Sequence, residues 1–335
     1  MVLLCRAKRN IIAAVGCAVT FMMMMSGCAV RPQAVTRDGI FFDTSVSITV
    51  YDNVPGRIAN DTLDGCFSLL GQYEKLFSKT IETSDISRIN DAGGAEVVVD
   101  GDTVGLLTMA REYSLISGGA FDITVGGVME LWNFKSDMPQ LPDSDALAEA
   151  VTHVGYSKVV IDGNTVRLDD PGTRLDIGGI AKGYAADRIE EYILSQGIMS
   201  AFINFGGDTL AIGQKPDGSA WRVGIAGPSG DTNADVVAVC GKSVVTSGIG
   251  YRGFTIEGQR YHHIINPGTG MPADNGLLSV SVACAGAARA DALATACFIM
   301  GSERGMEMVE MMDNTEVLFI GADGSLESSG WSLLR

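Results

Sequence analysis

The sequence predicts a mixed α+β fold rather than a doubly wound parallel sheet. Three observations carry this. The chain has 335 residues, 46% of them hydrophobic and 19% charged, enough to bury a large core as one domain or two lobes. Strand-like alternation and helical spacing are interleaved along it without strict βαβ order. No internal repeat, low-complexity segment or clear linker interrupts that body.

The first residues stand apart. Arg6, Lys8 and Arg9 precede an almost unbroken apolar run, Ile11 to Met25, which is short for a spanning helix and suits the hydrophobic region of a signal peptide. The run ends in Met25-Ser26-Gly27-Cys28, which resembles the lipobox of bacterial lipoproteins. The expectation is therefore a signal peptide over 1–27, a lipid-carrying Cys28, a polar tether containing Pro32 over 28–40, and a folded domain over 41–335. An uncleaved anchor helix is the alternative. Under either reading the body lies outside the cytoplasmic membrane, facing the periplasm or extracytoplasmic space.

Within the body, Phe41 to Tyr51 alternates like a strand beyond Thr44. Leu63, Cys66, Phe67, Leu70, Tyr73 and Phe77 recur at helical intervals, predicting a core-facing helix over 58–77. A loop then leads into a short helix capped by Thr83 or Ser84. Val104 to Ser117 reads as an amphipathic helix ended by Gly118-Gly119, Ala120 to Val125 as a strand, and Trp132 as part of a short helix. Leu141 to Val154 carries a Pro-Asp-Ser helix start. Lys158 to Leu168 reads as a hairpin turning at Asp162-Gly163-Asn164. Leu175 to Ile177 is a short strand, Gly178-Gly179 a tight turn, and Ala181 to Gln196 a helix closed by Gly197. Ala201 to Ile212 is a strand, glycine turn and strand; further strands are predicted over 221–225, 234–240, 243–246, 317–320 and 331–333, with a helix over 304–312.

Charge and cysteines exclude several functions. The formal charge is −16, and losing the first 27 residues removes three basic and no acidic ones, leaving −19. So acidic a body argues against nucleic acid or an anionic lipid surface as partner, and any phosphate site needs a local device. Cys66, Cys240, Cys284 and Cys297 show no CxxC or Cys/His spacing, which makes a zinc site improbable.

Chemistry concentrates in two stretches. In Ala290 to Gly301, Asp291 and Thr295 stand at i and i+4, so on a helix both oxygens project from one face. A carboxylate and a hydroxyl suit Mg²⁺, which takes few protein ligands and completes its shell with water and substrate phosphate; Asp291 capping its helix is the plainer alternative. In Leu175 to Asp187 (LDIGGIAKGYAAD), a glycine pair opening a helix points backbone N–H groups at an anion, and Lys182 adds a charge. The segment fits neither a Walker A loop nor GxGxxG, and a simple turn with a solvated lysine would look the same. His262-His263 precede a rigid Asn-Pro-Gly turn; adjacent strand residues face opposite sides, so at most one of them serves a given site.

Taken together, LDIGGIAKGYAAD, NFGGD, TSG with the following tyrosine, HHIINPGTG and ADALATACFIMG, preceded by GGAFDITVGGVMELW, closely resemble the ApbE family of FAD:protein FMN transferases. The resemblance runs from about Phe42 to Gly301 or beyond. It implies an α+β fold with T-fold-like sheets and packed helices, with FAD in a cleft and Mg²⁺ at its diphosphate. The metal site maps onto Asp291, Thr295 and the Gly179 carbonyl, with Ala294 where some members supply another contact. Flavin contacts map onto Ala120, Phe121, Asp122, Asp176, Lys182 and Ile265, with Phe42 where a methionine is common. Thr80 stands where an aromatic often stacks on the flavin, and Gly127 where a proline is common. His263 matches the catalytic histidine. The implied reaction moves FMN from FAD onto a threonine or serine of an acceptor flavoprotein, with release of AMP. Implied acceptors are the sodium-pumping NADH:quinone reductase, Rnf-type complexes and other proteins with FMN-binding domains. A Mg²⁺-dependent FAD pyrophosphatase, or a flavin-binding lipoprotein without turnover, are the alternatives.

Overall fold

The computed structural model describes residues 34–227, 232–250 and 252–335. The segment expected to be a signal peptide, and Cys28, lie outside these residues. The domain is built on an eight-stranded sheet whose neighbours all pair antiparallel. In chain order its strands are β1 (Val35–Phe41), β2 (Thr44–Val50), β6 (Ala201–Phe205), β7 (Asp208–Ile212), β10 (Lys242–Gly248), β13 (Leu277–Cys284), β14 (Glu316–Gly321) and β15 (Gly324–Glu327), and this is also their order across the sheet. Between them fall three pairings: β3 (Val97–Val98) with the hairpin β4 (Val159–Asp162) and β5 (Thr165–Leu168); β8 (Trp221–Ala226) with β9 (Asn233–Val239); and β11 (Gly253–Ile256) with β12 (Gln259–His262).

Helices α1 (Gly56–Phe77), α6 (Ala181–Ser195) and α7 (Ala287–Met300) cover one face and close the main core, which includes Ile48, Leu63, Leu70, Ile189, Ile203, Val280 and Phe298. The β8–β9 ribbon and Trp331 cover the other face through Val223, Val237, Ala283 and Leu318. The central strand β13 is therefore buried on both sides over most of its length. A third cluster, Val128, Trp132, Leu147, Phe254 and Ile265, holds the short helices α4 (Gly126–Trp132) and α5 (Ser144–Thr152) against β11–β12. The remaining helices are α2 (Asp85–Asp91), capped by Ser84, α3 (Gly101–Ile116) and α8 (Ser302–Glu310).

Four sequence expectations are corrected. Residues 35–40 belong not to a tether but to edge strand β1, paired along its whole length with β2. Ala120 to Val125 forms no strand: Asp122 accepts from the Thr124 N–H and hydroxyl, which bends the segment into a turn, and one bridge from Val125 to Arg174 remains. Leu175 to Ile177 likewise forms no strand; the bridge falls on Arg174 just before it. Trp331–Leu334 is a 3-10 turn whose tryptophan is fully buried and donates from Nε1 to Asp235. No helix of the described residues is long and apolar enough to cross a membrane.

Candidate active site

The site forms where α6 and α7 cross beside the end of β10. That crossing is unusually close. A Cβ on Gly183 would lie 2.5 Å from the Ala287 carbonyl oxygen, so only glycine lets the backbones meet. α7 is alanine-rich and buried on almost every side, and its own cap, Gly286, has no side chain to offer. Asp187 on α6 supplies the missing acceptors, taking the Ala287 N–H at 2.5 Å and the Ala288 N–H at 3.0 Å. The two helices are thereby locked in register with their chemical residues facing each other.

Asp291, buried among alanines, places Oδ2 3.3 Å from Lys182 Nζ. Asp208, the last residue of NFGGD, places its own Oδ2 3.6 Å from the same ammonium and accepts the Thr246 N–H at 3.2 Å. Burial by itself would pull the Lys182 ammonium down, but Asp291 and Asp208 together hold it above the ordinary lysine value. Burial likewise pushes the Asp208 carboxyl up, opposed by Lys182. One turn along α7, Thr295 Oγ1 lies 3.2 Å from Ser247 Oγ and 3.4 Å from where a Gly179 Cβ would stand. Gly179 thus lies against Thr295, one helical turn from Asp291, and the Phe121 ring would come within 3.2 Å of the same Cβ position.

Among the described residues there is no group of three or more His, Cys, Asp or Glu that could hold a metal ion. The side-chain oxygens at this crossing are the Asp291 carboxylate and the Thr295 and Ser247 hydroxyls, all hard donors. That set fits Mg²⁺ completed by water and substrate phosphate. Ala294 is fully buried and brings no side-chain donor.

The glycine turn differs from an open anion cradle. The Gly178 N–H donates to Asp176 Oδ1, and the Ile180 and Ala181 N–H groups both donate to the Ile177 carbonyl. Three amides at the helix entrance are thus already used, and the Lys182 side chain adds a full positive charge there.

The two histidines have separate tasks. His262 is buried; its Nδ1 accepts the Ile264 N–H at 3.3 Å and its Nε2 donates to the Ala273 carbonyl at 3.0 Å. It is a structural residue. His263 donates from Nδ1 to the Arg252 carbonyl at 3.1 Å, which fixes the tautomer and leaves the Nε2 lone pair free. Burial, aided by the Arg252 and Lys182 charges, pushes its pKa down to about 4, so the ring is neutral at physiological pH.

The other predicted contacts surround this centre. Phe42 sits in a left-handed conformation (φ 52°) at the β1–β2 turn with its ring 5.8 Å from Phe205, a conformation that costs a non-glycine residue energy. Next to it Asp43 pairs with Lys135. Asp176 binds Lys79 at 2.5 Å. Thr80 hydrogen-bonds Ser78 in an exposed loop and lines a polar groove of about 140 Å³ with Lys79, Glu130 and Arg174. Ala120 is half-buried, and Ile265 is packed in the third core cluster. The Asp122 carboxylate accepts from Thr124 N, Thr124 Oγ1 and Tyr156 N at 2.6–2.8 Å, which shapes the turn that presents Phe121 and leaves Oδ2 with acceptor capacity to spare. Sequence reasoning missed Asp208 and Ser247. Both lie inside quoted motifs, NFGGD and TSG, but neither stands at a spacing that announces a partner.

Comparison with known proteins agrees with this geometry. The model of the ApbE family matches residues 42–319. A protein named FAD:protein FMN transferase from Treponema pallidum (strain Nichols) is 35% identical over 94% of this chain and 92% of its own length; one of the same name from Klebsiella pneumoniae (strain 342) is 32% identical over 80% and 85%. Among solved structures, the ApbE protein of Thermotoga maritima superposes with a TM-score of 0.84 at 33% identity, covering 90% of this chain and 99% of that one. The flavin transferase ApbE of Vibrio cholerae gives 0.80 at 28% identity with the same coverage. A chain matched over most of its length in sequence and architecture, with the family's motifs converging on one crossing of helices, belongs to the ApbE family.

Proposed function

We propose that the protein is a Mg²⁺-dependent FAD:protein FMN transferase. The observation that carries this is the facing of Asp291 and Thr295 on α7 with Gly179 and Lys182 at the start of α6, a hard-oxygen and ammonium setting suited to a dinucleotide's diphosphate. When bound there, Mg²⁺ would neutralise charge on that diphosphate and polarise the phosphorus under attack. Asp291, Thr295 and the Gly179 carbonyl would hold it. Lys182 binds a phosphate oxygen, and Phe121 and Phe42 supply apolar surface for the flavin. The acceptor's threonine or serine oxygen forms a bond to the FMN-side phosphorus as the bond to AMP breaks. His263 takes the hydroxyl proton at Nε2, because Nδ1 is committed to Arg252 and the ring is neutral.

The acceptor would be a flavoprotein of the sodium-pumping NADH:quinone reductase or Rnf type, or another FMN-binding domain. A lipid on Cys28 would hold the enzyme at a membrane, facing the periplasm or extracytoplasmic space. Incubation with FAD, Mg²⁺ and such an acceptor tests the activity. A covalent fluorescent band on a denaturing gel with stoichiometric AMP is expected, and His263→Ala should abolish the band while FAD still binds. AMP without a band means a pyrophosphatase; FAD binding with neither product means a flavin carrier. Retention of the full transfer rate by His263→Ala would show that the base lies elsewhere.

A further inference from the structure

Lys182 is bracketed by two carboxylates, Asp291 at 3.3 Å and Asp208 at 3.6 Å, and among the described residues the Gly178 carbonyl, at 3.5 Å, is its one further polar contact. Ile203, Phe205, Leu210 and Val245 also wall the cavity around the trio, and the Thr209 hydroxyl in it donates to the Val244 carbonyl. Asp291 is also the sole carboxylate of the cation's donor set. An ammonium and a divalent ion cannot share one buried carboxylate cheaply, because at about 4 Å they repel each other more strongly than they would in water.

We propose that Lys182 competes with the divalent cation for Asp291, and that Asp208 is a positioning residue that keeps the ammonium in the site once the cation has displaced it. The inference rests on the proposed function and deepens it. Two carboxylates and one ammonium carry a net charge of −1 at neutral pH. A divalent ion alone turns that to +1 and must evict Lys182. When the diphosphate arrives with the ion, its negative charge receives the displaced ammonium and restores the balance. Metal and FAD therefore bind cooperatively, and Lys182 is the element through which they are coupled.

Mn²⁺ titration of the purified protein, followed by loss of the free-ion electron paramagnetic resonance signal with and without FAD, tests this. FAD should tighten Mn²⁺ binding to the wild type by about ten-fold. Lys182→Met should bind Mn²⁺ without FAD about ten-fold more tightly than the wild type, and FAD should add little further. Because Lys182→Met leaves two buried carboxylates uncompensated, thermal unfolding must confirm that it folds. Asp208→Asn keeps the Lys182–Asp291 pair and provides an independent arm: it should weaken Mn²⁺ binding more strongly without FAD than with it, whereas simple loss of a nearby charge would weaken both equally. Unchanged metal affinity in Lys182→Met, or an equal loss in both arms of Asp208→Asn, would overturn the proposal. Absence of Mn²⁺ binding even with FAD present would overturn it together with the function on which it rests, and so separates the two failures.

Discussion

Gly183→Ala probes the helix crossing on which the site depends. On an open helix this change stabilises by up to about 1 kcal/mol, because alanine is the better helix former. Here the new methyl would meet the Ala287 carbonyl oxygen at 2.5 Å and the Ala287 carbon and Ala288 Cα at 2.6 Å, against an ordinary contact limit of 3.4 Å. All three atoms are backbone, so no side chain can swing aside, and α6 and α7 must separate by most of an ångström. Overpacking of this kind costs about 1–3 kcal/mol; with a rigid obstacle the upper end applies, leaving a net loss of about 2 kcal/mol after the propensity gain. Gly127→Ala is the control, since nothing lies within 4 Å of its Cβ position, and it should be neutral or stabilising by less than about 1 kcal/mol. Urea unfolding of the two variants reads the difference directly. The same displacement carries Gly179 and Lys182 away from Asp291 and Thr295, so FMN transfer should fall about a hundred-fold. A Gly183→Ala protein as stable as the wild type would refute the claim that this contact sets the spacing of the helices.

Three further outcomes are expected. The His263 pKa in the fold, about 4, lies below its ordinary 6.5, so the unfolded chain binds a proton that the native state refuses. Stability should therefore fall as pH drops from about 6.5 through about 4, and His263→Gln should remove part of that slope in urea titrations at several pH values. Asp122→Ala orphans the Thr124 and Tyr156 donors and should cost on the order of 3 kcal/mol in the same assay, with conservation of stability refuting the assigned structural role. Cys240 is exposed, whereas Cys66, Cys284 and Cys297 are buried with thiols pushed up to about 12 by burial; maleimide should label Cys240 rapidly and the other three only after unfolding, as mass spectrometry of digests would show.

What could be read from the sequence followed from periodicity, and what could not followed from its exceptions. α1 was legible because Leu63, Cys66, Leu70, Tyr73 and Phe77 all point to the core. β1 was not, because its inward positions include Arg37, paired with Asp64, and Gly39, which lies under the Phe67 ring; neither carries the apolar signal of a strand. The AFDITV segment alternates like a strand, yet Asp122 spends its oxygens on Thr124 and Tyr156 and bends the backbone out of pairing. Trp331 looked like strand composition and is instead a plug on the sheet's second face. At the site, the i, i+4 relation of Asp291 and Thr295 was visible locally. The Asp208–Lys182 contact was not, because it joins the start of β7 to the start of α6 through tertiary packing alone.

Charge arithmetic explains why so much falls on one lysine. The chain carries −16 overall, and FAD brings further negative charge, yet salt screens distant charges beyond about 8 Å, so capture is decided by groups within the cleft. The glycine turn that would supply amides has committed Gly178, Ile180 and Ala181 internally. Lys79 is held by Asp176, and Lys135 by Asp43. Lys182 is thus the cation placed at the helix crossing itself, and it is held there by the same Asp291 that the divalent ion requires. A site with free amides could bind phosphate first and admit the ion later. With three of those amides committed, this one leans on the Lys182 ammonium, and the carboxylate that holds it is the one a divalent ion would take.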